Sequence, residues 1–223
     1  MKNGYFQLIC SGSGTALKVV APKDGGKPVN PKEALDYLAG LGLDFDITVV
    51  NKGIQDAIVS GKEEYLLLLN REPFREVREN YVMSISPDRM FAAARFYPPS
   101  AKGGRMSYDE FIRDLAHKNI VFGIFKEQLK AFFENPVYCT DIPVARGVAP
   151  RHGSDARIEY YFETDLRAKP TLNEDGSVDF FNLNTISHCH KGDVLARLFP
   201  EDPGDFGTSI YGEKIKPRDV YIL

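Results

Sequence analysis

The residue types best suited to metal chemistry lie together at His188, Cys189 and His190. In a β-strand alternate side chains share a face, so both histidines would point to one side. Two imidazoles can begin a zinc site, with Cys139 or His152 as a further ligand. No C-x-x-C or H-x-x-x-H spacing supports such a site, however. Surface histidines around a buried cysteine are the simpler interpretation, and the sequence predicts no cofactor.

A glycine pair followed by a cation occurs twice, as Gly25, Gly26 and Lys27 and as Gly103, Gly104 and Arg105. Both triplets precede a helix start, where free backbone N–H groups and a cation can bind an anion. Neither triplet fits G-x-x-x-x-G-K-[ST] or G-x-G-x-x-G. The side chains of Asn30 and Ser107 would also cap those N–H groups. A tight loop that needs glycine is therefore favoured over an anion site.

Three further features resemble functional sites. Asp44 and Asp46 have the spacing of carboxylates that hold paired metal ions, but solvated acids are favoured there. Lys191 precedes a predicted strand, as in lipoyl-type carriers, yet lacks their flanking Met or Ala. The aromatic run Tyr160–Phe162 indicates a half-buried strand more than a stacking platform for bases or sugars.

Composition excludes several classes of protein. The chain has 223 residues, a net charge of −3 and 43% hydrophobic residues, as in an ordinary globular protein. No cationic excess favours nucleic acid or anionic membranes, and no apolar run is long enough to cross a bilayer. Three distant cysteines are typical of free thiols in a reducing compartment. We therefore expect a cytoplasmic protein without a membrane span.

The sequence pattern of the elements that would position these residues occurs twice in the chain. Residues 21–43 and 98–120 share a Pro/Gly loop, a helix start and an apolar helix face. Asn30 and Ser107 lie 77 positions apart, as do Glu33 and Glu110, and each pair has the spacing of a capping box. The sequence therefore predicts two α+β repeats, residues 1–76 and 77–150. No acid or base is expected at matching positions for catalysis, so the repeats indicate a scaffold.

Each repeat is predicted to run hairpin, helix, strand, helix, strand. The predicted first-repeat elements are strands 5–10 and 15–20, a helix from residue 31, an extended piece 45–50, helix 51–60 and strand 65–70. The predicted second-repeat elements are strands 81–85 and 90–97, a helix from residue 108, an extended piece 121–124, helix 126–133 and strand 137–145.

The last third of the chain, residues 151–223, predicts a β-rich module. Glycine and proline punctuate short β-like runs, and no helical period is present. The predicted strands are 158–163, 177–181, 194–199 and 220–223, with a turn at 173–176. This pattern favours a small barrel or sandwich.

Motifs in this region resemble a known family. They comprise Gly147, Pro150, Gly153, Asp155 and Glu159, then Asp179, then Lys191, Gly192 and Asp193. With the two glycine-basic loops, the chain resembles the N-terminal region of flagellar assembly protein A (FapA), a bacterial family also described as DUF342. The resemblance implies a cytoplasmic protein, and a following β-helical domain that this chain would lack. It supplies no established catalytic residues.

We therefore predict a non-enzymatic assembly or regulatory module that acts through contacts with a protein partner of unknown identity. A flagellar assembly role is what the resemblance implies. The alternative is an enzyme or sensor that handles a nucleotide, a nucleic acid or a phosphosugar through the glycine-basic loops. The alternative requires both loops to line one cleft with converging acids.

Overall fold

The computed structural model describes residues 2–162, 171–172, 178–179 and 189–222. The chain divides into two compact units, Met1–Ala149 with Thr208–Lys214, and Pro150–Gly207 with Ile215–Leu223. We call these unit 1 and unit 2. The mixed helices and antiparallel sheets confirm the α+β class. The predicted domain borders at residues 76 and 150 stay predictions.

The first half of unit 1 forms one antiparallel sheet with two helices. Its elements are β1 (Tyr5–Ser11), β2 (Gly14–Val20), α1 (Pro31–Gly40), α2 (Ile47–Ser60) and β3 (Glu64–Asn70). The strand order is β1-β2-β3, and the β1–β2 hairpin closes at Ser11 and Gly14. The hairpin predicted from the small residues at 11–14 is confirmed.

The second half of unit 1 has the same order of elements. They are β4 (Asn80–Ile85), β5 (Phe91–Tyr97), α3 (Tyr108–His117), α4 (Lys126–Glu134) and β6 (Asp141–Arg146), with strand order β4-β5-β6. The helices α1 and α3 begin and end 77 positions apart. The register also shifts at corresponding places, between Thr15 and Ala16 and between Ala92 and Ala93.

Each half has its own apolar core. In the first half, Phe6, Leu8 and Leu17 of the sheet pack with Leu38 and Ile54 of the helices. In the second half, fully buried residues come from every layer: Phe96, Phe111, Leu115, Leu129 and Val144. Alternation along β1 places Phe6 and Leu8 on one face of the first sheet.

Helix starts follow from polar caps. Asn30 caps α1 by accepting from the Lys32 N–H, and Ser107 caps α3 by accepting from the Glu110 N–H. The prediction for α2 was partly wrong, because residues 47–50 are helical and not extended. Asp46 is its N-cap and accepts from the N–H groups of Thr48 and Val49, so the acidic residue marks a helix start.

Unit 2 consists of short strands. They are β7 (Arg157–Tyr160), β8 (Thr171–Leu172), β9 (Val178–Asp179) and β10 (Ala196–Phe199). β7 pairs with β10, and β8 pairs with β9. Among the described residues no closed barrel forms, and residues 220–222 are not a strand. The turn predicted at 173–176 and most of the strand predicted at 177–181 lie outside the described residues.

A late segment of the chain belongs to unit 1. The last strands, β11 (Gly207–Thr208) and β12 (Lys214–Ile215), pair with each other and flank this segment. Ile210 is fully buried in the core of the second half. Its N–H donates to Arg89 O, and its carbonyl accepts from the N–H groups of Val121 and Phe122. Residues 208–214 therefore complete a core that was built from residues some 90 positions earlier.

Candidate functional site

The two halves of unit 1 meet at a closed polar network around Arg95 of β5. Its guanidinium binds Asp141 through Nε–Oδ1 at 2.8 Å and Nη2–Oδ2 at 2.6 Å. A third bond, Nη1–Oε2 at 3.1 Å, reaches Glu33 of α1, in the other half. The Tyr97 hydroxyl donates to the second oxygen of Glu33 at 3.0 Å. Both Glu33 oxygens are therefore engaged, and its side chain is only 14% exposed.

The strand part of this network has a counterpart in the first half. Lys18 pairs with Glu64 at 2.6 Å, and these residues lie 77 positions before Arg95 and Asp141. The expectation that no acid or base occupies matching positions was therefore wrong. In each half the pair joins the second strand to the third, directly opposite for Arg95 and Asp141 and diagonally for Lys18 and Glu64. The lysine ammonium is a compact point charge. The arginine guanidinium has several N–H donors in a planar fork, so it can also bond a further acid.

Aromatic rings continue the contact between the halves. The rings of Tyr37 and Tyr97 lie 4.8 Å apart, and Phe6 lies 5.8 Å from Tyr97. Burial, and then the negative charge of Glu33, raise the pKa of Tyr97 well above its ordinary value. The hydroxyl therefore stays a proton donor to Glu33 over the whole physiological range.

Two clefts flank this network. The larger, of about 520 Å³, lies between α1 and the strands β4 and β5. Its lining is partly aromatic and partly charged: Lys32, Glu33, Asp36, Tyr37, Leu41, Asn80, Tyr81, Val82, Arg95 and Tyr97. The smaller, of about 380 Å³, contains Asn3, Lys27, Glu33, Arg95, Cys139 and Asp141.

The smaller cleft is lined by a cysteine, whose thiol is not activated. Burial, followed by weaker charge effects from Glu33, raises the pKa of the Cys139 thiol to about 12. A thiol with that pKa is protonated near neutral pH and is a poor nucleophile. The neighbouring carboxylates of Glu33 and Asp141 form ion pairs with Arg95. The arrangement can therefore hold the two halves together and shape a surface.

The first glycine-basic loop is held by backbone contacts. The Lys27 N–H donates to Asn3 Oδ1 at 2.9 Å, and its carbonyl accepts from the Gly4 N–H. Gly25 has φ +76°, and a Cβ on Gly26 would lie 1.9 Å from Lys2 O. The conformation of this loop thus requires both glycines.

The second loop makes two corresponding contacts, and only its first glycine is required. A Cβ on Gly103 would lie 1.9 Å from Val77 O, and the Gly104 carbonyl accepts from the Glu79 N–H. Arg105 lies 3.7 Å from Glu79 Oε2 and donates to Phe133 O. The Glu79 side chain is fully buried, so Arg105 compensates an internal carboxylate.

The two loops do not share either cleft. Lys27 lines the 380 Å³ cleft, while the lining of both clefts excludes Gly103, Gly104 and Arg105. Each loop instead joins the strand start of its own half through equivalent hydrogen bonds. The condition set for the enzyme or sensor alternative is therefore not met at these clefts.

The family model described as Flagellar Assembly Protein A N-terminal region matches residues 81–222. That range covers more than half of the chain, from β4 to the end of unit 2. The chain belongs to this family. The predicted resemblance is thereby confirmed. A search of curated proteins and a search of solved structures each found no match.

Several motif residues of this FapA-type chain allow close approach of backbone segments. A Cβ on Gly147 would lie 2.6 Å from Thr208 O, and a Cβ on Gly153 would lie 1.6 Å from Asp202 O. Ser154 and Asp202 exchange backbone hydrogen bonds around Gly153, as do Arg151 and Asp205. The glycines of the motif therefore have structural roles.

Charged motif residues make local bonds in unit 2. Asp155 Oδ1 accepts from the Tyr221 N–H, and Asp193 Oδ2 accepts from the His190 N–H at 2.6 Å. Gly192 has φ +107° and follows Lys191 in an exposed turn. Pro150 begins unit 2, Glu159 lies on exposed β7, and Asp179 lies in β9. As binding residues they remain predictions.

The metal hypothesis gains no support from the ligands that the structure describes. His190 is exposed and lies 3.6 Å from Asp193, and His152 Nδ1 accepts from the Arg218 N–H. Cys139 packs against the first core. No group of three metal-ligand side chains forms in the described part of the chain, and His188 lies outside it.

Sequence inspection missed the network around Arg95. Glu33 was expected to close a capping box, but it bonds Arg95 and Tyr97 instead. The available signal was the 77-residue correspondence between Lys18–Glu64 and Arg95–Asp141.

Within the described residues, no helix is both long and apolar enough for a membrane span.

Proposed function

We propose that this chain is a non-enzymatic assembly module of the FapA type that acts through contacts with a protein partner. One observation supports this most directly. Arg95, Glu33 and Asp141 at the junction of the halves pair with one another, so the junction stabilises a shaped surface. A flagellar assembly role agrees with the description of the family.

Exposed apolar side chains in unit 2 add support. β7 and β10 form a two-stranded ribbon on which Ile158, Tyr160 and Leu198 are 40%, 51% and 60% exposed. A two-stranded ribbon is marginal in water, and exposed apolar groups are typical of contact surfaces. Such a ribbon would gain stability from a protein partner.

The organisation of the chain fits a scaffold. We infer that the halves of unit 1 arose by duplication, since the helices α1 and α3, the register shifts and the cross-strand ion pairs correspond at a constant offset of 77 residues. Three free cysteines favour a reducing, cytoplasmic location.

Affinity capture tests the proposal. The full chain, tagged at one end, is expressed in its host and crosslinked, and captured proteins are quantified by mass spectrometry. We expect one protein in near-stoichiometric amount, lost when Tyr160 and Leu198 are replaced by serine. The matched control replaces the exposed Lys216 and Arg218 by serine. Absence of any enriched protein in the crosslinked wild type would count against an assembly role.

Calorimetric titration addresses the alternative. ATP and glucose 6-phosphate are added to the wild type and to Lys27→Ala. The proposal expects no heat from either, because the loop N–H of Lys27 is already bonded to Asn3. Saturable heat that Lys27→Ala abolishes would replace the assembly proposal by a sensor or enzyme role.

A further inference from the structure

The strand β3 is an edge of the first sheet, and one of its sides faces away from β2. The Ala21 N–H donates to Glu63 O at the end of the β2–β3 pairing. Because bonded and non-bonded pairs alternate along antiparallel strands, the backbone groups of Glu64, Leu66 and Leu68 point away from β2. Among the described residues, no hydrogen bond from another segment reaches these groups.

The corresponding edge of the second sheet, that of β6, is covered. The backbone of residues 123–125 bonds Val144 and Arg146. Pro143, inside β6, has no N–H to offer, and it lies 77 positions after Leu66. In the first half, the positions that correspond to this covering segment belong to the start of α2. Within the described part of the chain, β3 therefore lacks the cover that β6 has.

The β3 edge is apolar on both faces of the sheet. Leu66 and Leu68, on the outer face, are 65% and 56% exposed. Tyr65, Leu67 and Leu69, on the other face, pack against the first core and are only partly buried. Proteins usually protect an edge strand with proline or charge, because an open apolar edge pairs with further strands. The second half has that proline, whereas the first half presents leucines.

The sequence of β3 is complementary to itself in the antiparallel direction. With Leu66 opposite Leu66 of a second copy, the outward backbone groups of the two strands can bond one another. Tyr65 then lies opposite Leu67 of the other copy, so apolar side chains meet on both faces. Glu63, just before the strand, lies diagonally from the exposed Arg71, just after the strand in the other copy. Apolar pairing and charge therefore both favour a second copy as the occupant.

We propose that two copies of this chain pair through their β3 strands, antiparallel and across a two-fold axis at Leu66. Their three-stranded first sheets become one continuous sheet. The contact is isologous, since each copy contributes the same surface. This self-association goes beyond the proposed partner contact and does not depend on it.

Sedimentation velocity of the full chain, at concentrations from about 1 µM to about 1 mM, tests the proposal. We expect a monomer–dimer equilibrium whose dissociation constant Leu66→Glu raises about tenfold or more, because two carboxylates would face each other across the axis. Val82→Glu is the matched control and should leave the constant unchanged. Val82 is 61% exposed on the edge strand β4 and lies opposite Arg95, as Leu66 lies opposite Lys18.

Three results would overturn the proposal. They are a wild type that stays monomeric over the whole range, a dimer that Leu66→Glu leaves intact, and equal weakening by Val82→Glu. Leu66→Pro is the second variant, since it copies the proline of β6 and removes an N–H that points away from β2. It should also yield a monomer, with the helical circular dichroism of the wild type retained in both Leu66 variants.

Amide exchange locates the contact. Exchange at Leu66 and Leu68 should slow about tenfold or more as the concentration rises, because their N–H groups become bonded in the dimer. The Leu67 N–H already points towards β2 and is the control, so its exchange should change little. Concentration-dependent protection that leaves Leu66 and Leu68 unchanged would overturn the pairing through β3.

A variant of unit 2 separates the pairing from the proposed function. The chain with Tyr160 and Leu198 replaced by serine should dimerise as the wild type does, since β3 belongs to unit 1. Loss of the dimer in this variant would place the contact in unit 2 and overturn the assignment to β3. A chain that stays monomeric and still captures its partner protein overturns the pairing and leaves the assembly role standing.

Discussion

At the scale of single residues, the difference between lysine and arginine determines which ion pair joins the halves. Within the described part of the chain, Lys18 pairs with Glu64 alone, an exposed acid of its own sheet. Arg95, at the corresponding position, bonds Asp141 of its own sheet and the mostly buried Glu33 of the other half. An exposed pair contributes little, whereas loss of a partner from a partly buried acid costs more.

We therefore expect Arg95→Ala to lower the free energy of unfolding by about 1–2 kcal/mol. The reason is that Glu33 keeps only the hydrogen bond from Tyr97. Lys18→Ala is the matched control and should cost about 0.5 kcal/mol or less. Urea unfolding followed by circular dichroism measures both changes. An equal decrease in the free energy of unfolding for the two variants would show that the bond between Arg95 and Glu33 does not stabilise the fold.

Another residue-scale effect concerns pH in unit 2. Arg151 bonds Asp202 at 2.5 and 3.1 Å, and it also bonds Asp205 at 2.5 Å. The hydrogen bonds from Arg151, followed by one from the Gly204 N–H, lower the pKa of Asp202 from 3.8 to about 2. A depressed folded-state pKa stabilises the fold above the unfolded-state pKa and not below the folded one.

Arg151→Gln should raise the pKa of Asp202 towards its ordinary value. The stability advantage of the wild type should then be complete above about pH 4, shrink between about pH 4 and pH 2, and vanish below that. Carboxyl NMR titration measures the pKa, and urea unfolding at several pH values measures the stability. Arg218→Gln is the control, because Arg218 has no ion pair among the described residues. An unchanged Asp202 pKa in Arg151→Gln would contradict the assignment.

At the scale of elements, the glycine-basic loops show why a motif is ambiguous in sequence. Glycine before a helix suits both an anion site and a close backbone contact. The structure shows the contact, since a Cβ on Gly26 or Gly103 would lie 1.9 Å from a carbonyl oxygen. The carbonyls of Lys27 and Gly104 accept hydrogen bonds from Gly4 and Glu79, which directly precede β1 and β4.

Gly103→Ala is expected to destabilise unit 1 by about 2 kcal/mol or more, because the added methyl group meets the backbone of Val77. The adjacent Gly104→Ala is the matched control. A Cβ there would meet only the flexible Arg78 side chain, at 3.5 Å, so its effect should stay within about 0.5 kcal/mol. Thermal unfolding of both variants compares them, and a neutral Gly103→Ala would refute the close-contact explanation.

Local sequence signals predicted the helices and strands, whereas the contacts between distant residues could not be predicted from the sequence. Caps at Asn30 and Ser107 predicted α1 and α3, since a capping side chain acts within one turn. The start of α2 was misplaced because Asp46 was interpreted as a solvated acid. In the structure Asp46 is the N-cap of this helix. The bonds of Arg95 span 46 and 62 positions, so no local pattern encodes them.

At the scale of the molecule, unit 1 is discontinuous in sequence. Its second core is completed by Ile210, which the chain reaches only after passing through unit 2. The backbone of Ile210 bonds Arg89, Val121 and Phe122, so the segment is fixed by hydrogen bonds as well as by burial. The family match across residues 81–222 includes both parts of this core.

Ile210→Ala should therefore destabilise unit 1 by about 2–4 kcal/mol, although the mutated residue lies far along the chain. The removed atoms leave a cavity in the core that also contains Phe96 and Leu115. Ile222→Ala is the matched control. Ile222 is 76% exposed, so the same change should cost about 0.5 kcal/mol or less. Near-ultraviolet circular dichroism during urea unfolding follows the tyrosines of unit 1. A transition that Ile210→Ala leaves at the wild-type midpoint would show that residues 208–214 are not part of the cooperative core.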